Sequence, residues 1–335
     1  MSTEQLMQHA IDLAKKGQSL TYPNPIVGAV IADAQGKIIS EGFHQGTDHA
    51  EVIAIKNAKS IPTDATLYVT LEPCNHFGKT PPCTEAIIAA GIKNVVFATA
   101  DPNPIASGGA NKLKAAGIKV TGGLLANEAS LANRAWLTKI EKGRPRFIWK
   151  IASTLDGKVA AADGSSKWIT SESARADVAK LRASSDAILT SSKTVISDNP
   201  TLDSKGLGKN PYRIVMGQAD LNPSANIFNE LARTKVIKSR QISDLLDFVG
   251  SEGFNQVLVE SGPTFGSALL TAGLIDEIVI YLAPSILGSG LNSISDLGIK
   301  SIDQKLQLQL LAHEVIDQDF KLTYQVAAKS LIGAI

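Results

Sequence analysis

Four residues stand at spacings that suit metal-assisted chemistry: His49 and Glu51 in the tripeptide HAE, and Cys74 and Cys83 in PCNHFGKTPPC. These are the only two cysteines of the chain, and each directly follows a proline. Zinc takes about four tetrahedral ligands, and a catalytic zinc keeps one position for water. His49, Cys74 and Cys83 supply three ligands. Glu51, two residues beyond His49, can reach that water without ligating the ion. The sequence after Pro81 and Pro82 reads as a helix start, where a thiolate is favoured over a thiol, and this suits Cys83.

Taken singly, each cysteine reads as a small buried hydrophobe, and His49 as a helix N-terminal residue bonded to backbone. Together, with two helix starts in register, they read as a metal site. A purely structural zinc would need a fourth protein ligand, for which His44 and His76 are the nearby candidates. Zinc deaminases share the constellation of H-x-E, then P-C and a second cysteine, with the glutamate as proton shuttle. Their common pattern separates the cysteines by two residues; here eight intervene, and the longer loop adds His76 and Lys79 to the pocket wall. Lys79 reads either as a contact to an anionic substrate, such as a nucleotide phosphate, or as a solvated loop charge.

The elements that must position these residues follow from periodicity. MSTEQLMQHAIDLAKKG reads as an amphipathic helix capped by Ser2 or Thr3, with Leu6, Ala10, Leu13 and Ala14 on one face. PIVGAVIAD and GKIISEGFH flank a turn as a hairpin, and HAEVIAIKNAK reads as a helix. Strands at ATLYVTLEP and NVVFATADP alternate with helices at CTEAIIAAGI and NKLKAAGIKV, which predicts an α/β/α sandwich. NEASLANRAWLTKIEKG (127–143) predicts one connecting helix. A second α/β domain then opens at RFIWKIAST and ends in a β-hairpin over KLQLQLLAHEVIDQDFKLTYQV. The boundary falls at 143/144.

Bulk properties exclude other classes. The chain is 44% apolar and 19% charged, with net charge +1 and 5% aromatic residues. No apolar run could span a bilayer, and the N-terminus lacks a signal-peptide layout. The cytoplasm is the expected compartment, where a cysteine pair points to metal or catalysis. A nucleic-acid-editing deaminase would share H-x-E and P-C, but it calls for a basic face and stacking aromatics that this composition does not supply. A non-catalytic zinc module would have no use for Glu51.

The motifs TLEPCNHFGKTPPC, HAE, YPNPIVGAVI and DPNP closely resemble the deaminase half of a bifunctional family of riboflavin biosynthesis. That family joins diaminohydroxyphosphoribosylaminopyrimidine deaminase to 5-amino-6-(5-phosphoribosylamino)uracil reductase. The resemblance continues through TLDGKVAAADGSSKWITSESARADVAKLRASSDAILTSSKTVISDNPTL, LVESGPTFGSALL and IDEIVIYLAPSILGS, and covers nearly the whole chain. It implies a cytidine-deaminase-like α/β/α domain over 1–143 and a dihydrofolate-reductase-like α/β domain over 144–335. It also implies one zinc, NADPH and phosphorylated pyrimidine substrates, with no nucleic-acid or membrane partner; a homo-oligomer is compatible with it.

By that resemblance, His49, Cys74 and Cys83 are the zinc ligands and Glu51 the catalytic acid/base, while Asn24, His44, His76 and Lys79 hold the deaminase substrate. Ala152, Trp168, Thr194, Asp198 and the run Gly262, Pro263, Thr264, Phe265, Gly266, Ser267 and Ala268 correspond to NADP contacts. Ser166, Arg182, Leu202, Lys205 and Glu260 correspond to reductase substrate contacts, with Lys150 near the transferred hydride. The small residues of SGPTFGSA, between a strand and a helix, suit a pyrophosphate at a helix N-terminus. Four places depart from the family pattern: Lys205 stands where arginine is usual, Gly217 and Gln218 replace a residue pair after a strand, ASGGA (106–110) alters a G-x-G spacing, and the region between Lys205 and Tyr212 is shorter than in longer members.

Overall fold

In the computed structural model, which describes residues 1–78 and 80–327, helix α1 (Thr3–Lys15) begins where Ser2 Oγ accepts from the Gln5 N–H and the Gln5 side chain accepts from the Ser2 N–H. This reciprocal cap satisfies two of the helix's orphan donors. The buried stripe Leu6, Met7, Ala10, Ile11, Leu13 and Ala14 lies against one face of a five-stranded sheet. The sheet follows from hairpin β1 (Gly28–Ala32) and β2 (Ile38–Phe43), helix α2 (Ala50–Asn57) and β3 (Thr66–Leu71). Helix α3 (Cys83–Ala89), β4 (Asn94–Thr99), α4 (Gly109–Ala115) and β5 (Lys119–Gly122) complete it in the order β2-β1-β3-β4-β5. Strand β1 runs antiparallel to both neighbours, whereas β3, β4 and β5 are parallel.

Alternation along β1 divides the core. Val30 and Ala32 face α1, while Ala29 and Ile31 face the cluster built by α2, α3 and α4. With helices on both faces, the expected three-layer sandwich forms. The single helix expected over 127–143 does not. The segment forms α5 (Ala126–Ala132) and α6 (Arg134–Lys142), interrupted at Asn133 with φ −93° and ψ 9°. The reason is a buried obligation elsewhere: Asn133 Oδ1 accepts from the Ile26 N–H at 3.0 Å, and its Nδ2 donates to the Ile26 carbonyl at 2.6 Å. Buried backbone groups outside a ladder must find partners, and this amide supplies both.

The chain divides into two compact units, Met1–Arg144 and Pro145–Ile335. The second holds an eight-stranded sheet in the order β10-β9-β8-β11-β6-β12-β15-β14. Its strands are β6 (Arg146–Thr154), β8 (Ala187–Ser191), β9 (Tyr212–Met216), β10 (Thr234–Ile237), β11 (Gln256–Val259), β12 (Ile275–Ala283), β14 (Leu308–Ile316) and β15 (Asp319–Val326). The first six strands in spatial order are parallel; β15 and β14 close the sheet antiparallel, as the alternating tail predicts. Short β7 (Lys158–Ala160) pairs with β13 (Leu291–Asn292). Helices α7 (Glu172–Ala183), α8 (Ser192–Asp198), α9 (Ile242–Glu252) and α10 (Pro263–Thr271) connect the parallel strands. Helix α8 and strand β10 were not foreseen from sequence; each is short, and neither carries a sustained apolar period. The carboxyl ends of β6, β8 and β11 lie side by side, which is where open α/β sheets place ligands.

Candidate active sites

Each chemical residue of the first unit sits at an element end. His49 is the N-cap of α2, Glu51 lies in its first turn, and Cys83 opens α3. The ligand atoms of His49, Cys74 and Cys83 all lie within 4.8 Å of one another. His49 Nδ1 is 3.1 Å from Cys83 Sγ and 3.5 Å from Cys74 Sγ, and the Cys83 N–H donates to Cys74 Sγ at 3.4 Å. One imidazole nitrogen and two sulfurs on converging vectors are a donor set zinc accepts. A hydrogen bond from Cys83 holds the Cys74 thiol down at about 4, whereas that bond and burial push Cys83 up, so Cys74 carries the thiolate and Cys83 keeps its proton, contrary to the thiolate its helix start leads one to expect. Glu51 is buried beside them, and desolvation raises its carboxyl to about 7.

The pocket wall is partly resolved by these contacts. His44 is buried, stacks on His49 with centroids 5.2 Å apart, and is shifted toward its neutral form by burial. Its Nε2 and the Nδ1 of His76 are buried without hydrogen-bond partners, the condition expected of groups that await a polar ligand. Asn24 is exposed on the loop between α1 and β1, where its N–H closes a turn onto Thr21. Lys79 lies outside the described residues.

Two supports of this site were missed in the sequence. Glu72, at the end of β3, accepts from the N–H groups of Asp101 (3.3 Å) and Ala110 (2.9 Å), tying the DPNP loop and the start of α4 to the strand that leads to Cys74. Its signal was an acidic residue ending an apolar strand. The altered ASGGA spacing also has a physical reason. A Cβ on Gly109 would sit 1.7 Å from the Pro73 carbonyl oxygen, one residue before Cys74, so no larger residue fits. From the same loop Ala106 packs against both cysteines, and its carbonyl accepts from the Asn75 N–H.

In the second unit Glu260 anchors a charged cluster at the end of β11. Arg182 Nε donates to its Oε1 at 2.6 Å and Nη2 to its Oε2 at 3.0 Å, and Lys150 Nζ lies 3.2 Å from Oε2. Burial alone would push this carboxyl up, but the two cations outweigh it and hold it at about 2. Arg182 also donates to the Asp203 carbonyl at 3.2 Å, and the Asp203 carboxylate pairs with Lys205 at 3.2 Å. Lys205 is therefore linked to the cluster through Asp203, a residue the sequence did not single out. Leu202 is buried in the core with φ +49°. Ser166 and Trp168 lie on the loop between β7 and α7, and Ala152 is half-buried on β6.

The run after Glu260 divides by exposure. Gly262, Thr264 and Ala268 are exposed and Phe265 partly so, while Pro263, Gly266 and Ser267 are buried. Gly262 is the N-cap of α10, Pro263 starts the helix, and nothing lies within 4 Å of a Cβ added at Gly262. The buried Ser261 Oγ has no partner, and the Gly262 N–H donates to Thr194 Oγ1 at 3.4 Å. An open helix N-terminus beside an orphaned hydroxyl fits a dinucleotide phosphate. Gly266 is glycine for another reason: a Cβ there would meet the Trp149 ring at 2.1 Å. Ser267 is likewise engaged, accepting from the Ser295 N–H. Asp198 is exposed at the end of α8, its carbonyl accepting from Lys167. At Gly217, φ is +143° and a Cβ would lie 2.2 Å from Ser192 Oγ, so the departure there accompanies a close approach to α8.

Two family models match in chain order: the cytidine and deoxycytidylate deaminase zinc-binding region over 1–99 and the RibD C-terminal domain over 145–322. The riboflavin biosynthesis protein RibD of Mycobacterium tuberculosis is 42% identical over 330 residues, covering 96% of this chain and 97% of that protein. RibD of Escherichia coli is 40% identical over 329 residues, covering 86% and 89%. A crystal structure from Thermotoga maritima, described as a diaminohydroxyphosphoribosylaminopyrimidine deaminase/5-amino-6-(5-phosphoribosylamino)uracil reductase, superposes with TM-score 0.88 at 35% identity, covering 97% of this chain and 98% of that one. Acinetobacter baumannii RibD superposes with TM-score 0.86 at 37% identity, covering the same shares. Alike in both halves and over nearly its whole length, the chain belongs to the RibD family of riboflavin biosynthesis proteins.

Proposed function

We propose that the two reactions of this bifunctional enzyme divide between its units, deamination over residues 1–143 and reduction over 144–335. The enzyme deaminates 2,5-diamino-6-(5-phosphoribosylamino)pyrimidin-4(3H)-one and then reduces the ribosyl group of 5-amino-6-(5-phosphoribosylamino)uracil to ribityl. Zinc supplies Lewis acidity that makes water nucleophilic at neutral pH, and NADPH supplies the hydride. The observation that carries the division is the convergence of His49, Cys74 and Cys83 beside buried Glu51, all within the first unit.

In this reading His49 Nδ1 and the two cysteine sulfurs would hold the metal, the Cys83 proton being released as the ion binds. Glu51, lifted to about 7, takes a proton from the attacking water and returns it to the departing amino nitrogen. His44 and His76 orient the pyrimidine through their unpartnered nitrogens. In the second unit Glu260 stays a carboxylate and aims Arg182 and Lys150. Lys150 then offers its remaining N–H donors to the opened sugar. Arg182, Lys205 and the main chain at Leu202 form the anion-binding side, and Ser166 adds a hydroxyl.

We place the enzyme in the cytoplasm, where thiols stay reduced; no helix among the described residues is long and apolar enough to cross a membrane. A homo-oligomer belongs to the same proposal, supported by the edge strand β14, which is exposed along most of its length. Spectrophotometry of NADPH consumption tests the division of labour. The Glu51→Gln enzyme should reduce pre-deaminated substrate normally and fail on the diamino substrate; loss of both activities in a folded enzyme overturns it.

A further inference from the structure

Of the three tryptophans, Trp136 and Trp149 are buried, whereas Trp168 is 71% exposed on the loop between β7 and α7. An exposed indole on a loop would ordinarily fold back onto apolar surface. Here two contacts hold the loop beneath it. Arg175, in the first turn of α7, places its guanidinium carbon 4.5 Å from the centroid of the Trp168 ring. The same side chain donates from Nη1 to the Thr170 carbonyl at 2.6 Å, fixing the main chain two residues beyond the indole. On the other side of Trp168, Lys167 reaches the Asp198 carbonyl at the end of α8. Helix α7 itself is anchored: Ser171 caps it and donates its own N–H to Asp319 on β15 at 2.7 Å.

Arg175 has no carboxylate partner among the described residues, so its fork serves only the ring and the carbonyl. We propose that Arg175 is a positioning residue of the cofactor site: it stacks on one face of Trp168 and holds the indole as a preformed platform for a planar ring of NADPH. Preorganisation of this kind lowers the ordering cost of binding, and a cation against one face polarises the indole that receives the second ring. The inference rests on the assignment of Trp168 to the NADPH site.

The test uses the full-length protein and its variants Arg175→Ala, Arg175→Lys, Trp168→Phe and Trp168→Ala. In the unliganded protein, time-resolved fluorescence anisotropy reports Trp168 as the difference between each protein and its counterpart carrying Trp168→Phe. Arg175→Ala should give the indole fast local motion, and Arg175→Lys should keep part of the restraint. NADPH titration followed by tryptophan-to-nicotinamide energy transfer should show a Kd raised roughly 3- to 10-fold in Arg175→Ala, less in Arg175→Lys, with deaminase turnover unchanged. Unchanged anisotropy and Kd in Arg175→Ala overturn the inference while leaving the Trp168 assignment standing. Unchanged NADPH affinity in Trp168→Ala, which removes the ring altogether, overturns that assignment instead. If Arg175→Ala does not fold, Arg175→Lys and Arg175→Gln carry the same two measurements, and wild-type values in both overturn the inference.

Discussion

Arg182 grips Glu260 by both carboxylate oxygens, and Lys150 closes on the second of them, so a buried anion is enclosed by two cations at the end of β11. Breaking one side of such a pair strands a buried charge, which costs about 3–5 kcal/mol. Arg182→Met should therefore destabilise the second unit by that order and abolish reduction, leaving zinc content intact. Chemical denaturation followed at the reductase transition checks it; a change below roughly 1 kcal/mol would mean water already solvates Glu260.

The same cluster sets an acid limit. Glu260 titrates at about 2 in the folded enzyme against an ordinary 4.5, so its contribution is fully present above about pH 4.5. It is lost as pH falls toward 2, because the unfolded chain binds the proton first. Denaturation midpoints of the second unit should drop over this window in the wild type and more shallowly in Glu260→Gln. Parallel slopes in the two proteins would remove Glu260 as the cause.

For the metal centre, Cys74→Ser and Cys83→Ser should purify with almost no zinc, whereas Glu51→Gln should retain it and lose deamination by at least about 10²-fold. Elemental analysis beside ammonia release decides this. Full zinc in either serine variant would refute the ligand set.

Gly109 offers a more distant handle. With the Pro73 carbonyl 1.7 Å from a Cβ at that position, Gly109→Ala must displace the backbone that leads to Cys74. Zinc occupancy and deaminase kcat should fall together, with reductase kinetics unchanged. Wild-type zinc affinity in this variant would show that the loop yields without cost.

Lys205 pairs with Asp203 while remaining mostly exposed, which tempers its expected worth. Lys205→Ala should raise the reductase KM for the phosphorylated substrate roughly 10-fold, the lower end for a charge-assisted contact, with NADPH affinity and deamination unmoved. An unchanged KM would reduce it to a solvated loop charge.

Local sequence carried much of this protein. HAE and the two P-C dipeptides were legible because each ligand sits at an element end that its neighbours specify: a helix start after His49, another at Cys83, an apolar strand running into Cys74. The alternation of strand and helix, and the terminal hairpin, were legible for the same reason, since periodicity of two or 3.6 is a property of consecutive residues. The break at Asn133 was not, because nothing in NEASLANRAWLTKIEKG records that Ile26, 107 positions away in the chain, needs both its backbone groups satisfied.

What only the tertiary structure decided are contacts between segments remote in sequence. Residue type alone made Glu260 an acid at a strand end; its state as a carboxylate at about 2 follows from Arg182 and Lys150 arriving from α7 and β6. Gly266 looked like part of a phosphate loop, and its lack of a side chain is required by Trp149 beneath it. Gly109 looked like a disturbed spacing and proved to be the point where α4 meets the Pro73 carbonyl. Close packing leaves no room for a methyl at such crossings, and a linear pattern cannot express which crossings occur. Chemistry at element ends is written locally; the charge states and clearances that tune it arise where distant strands and helices meet.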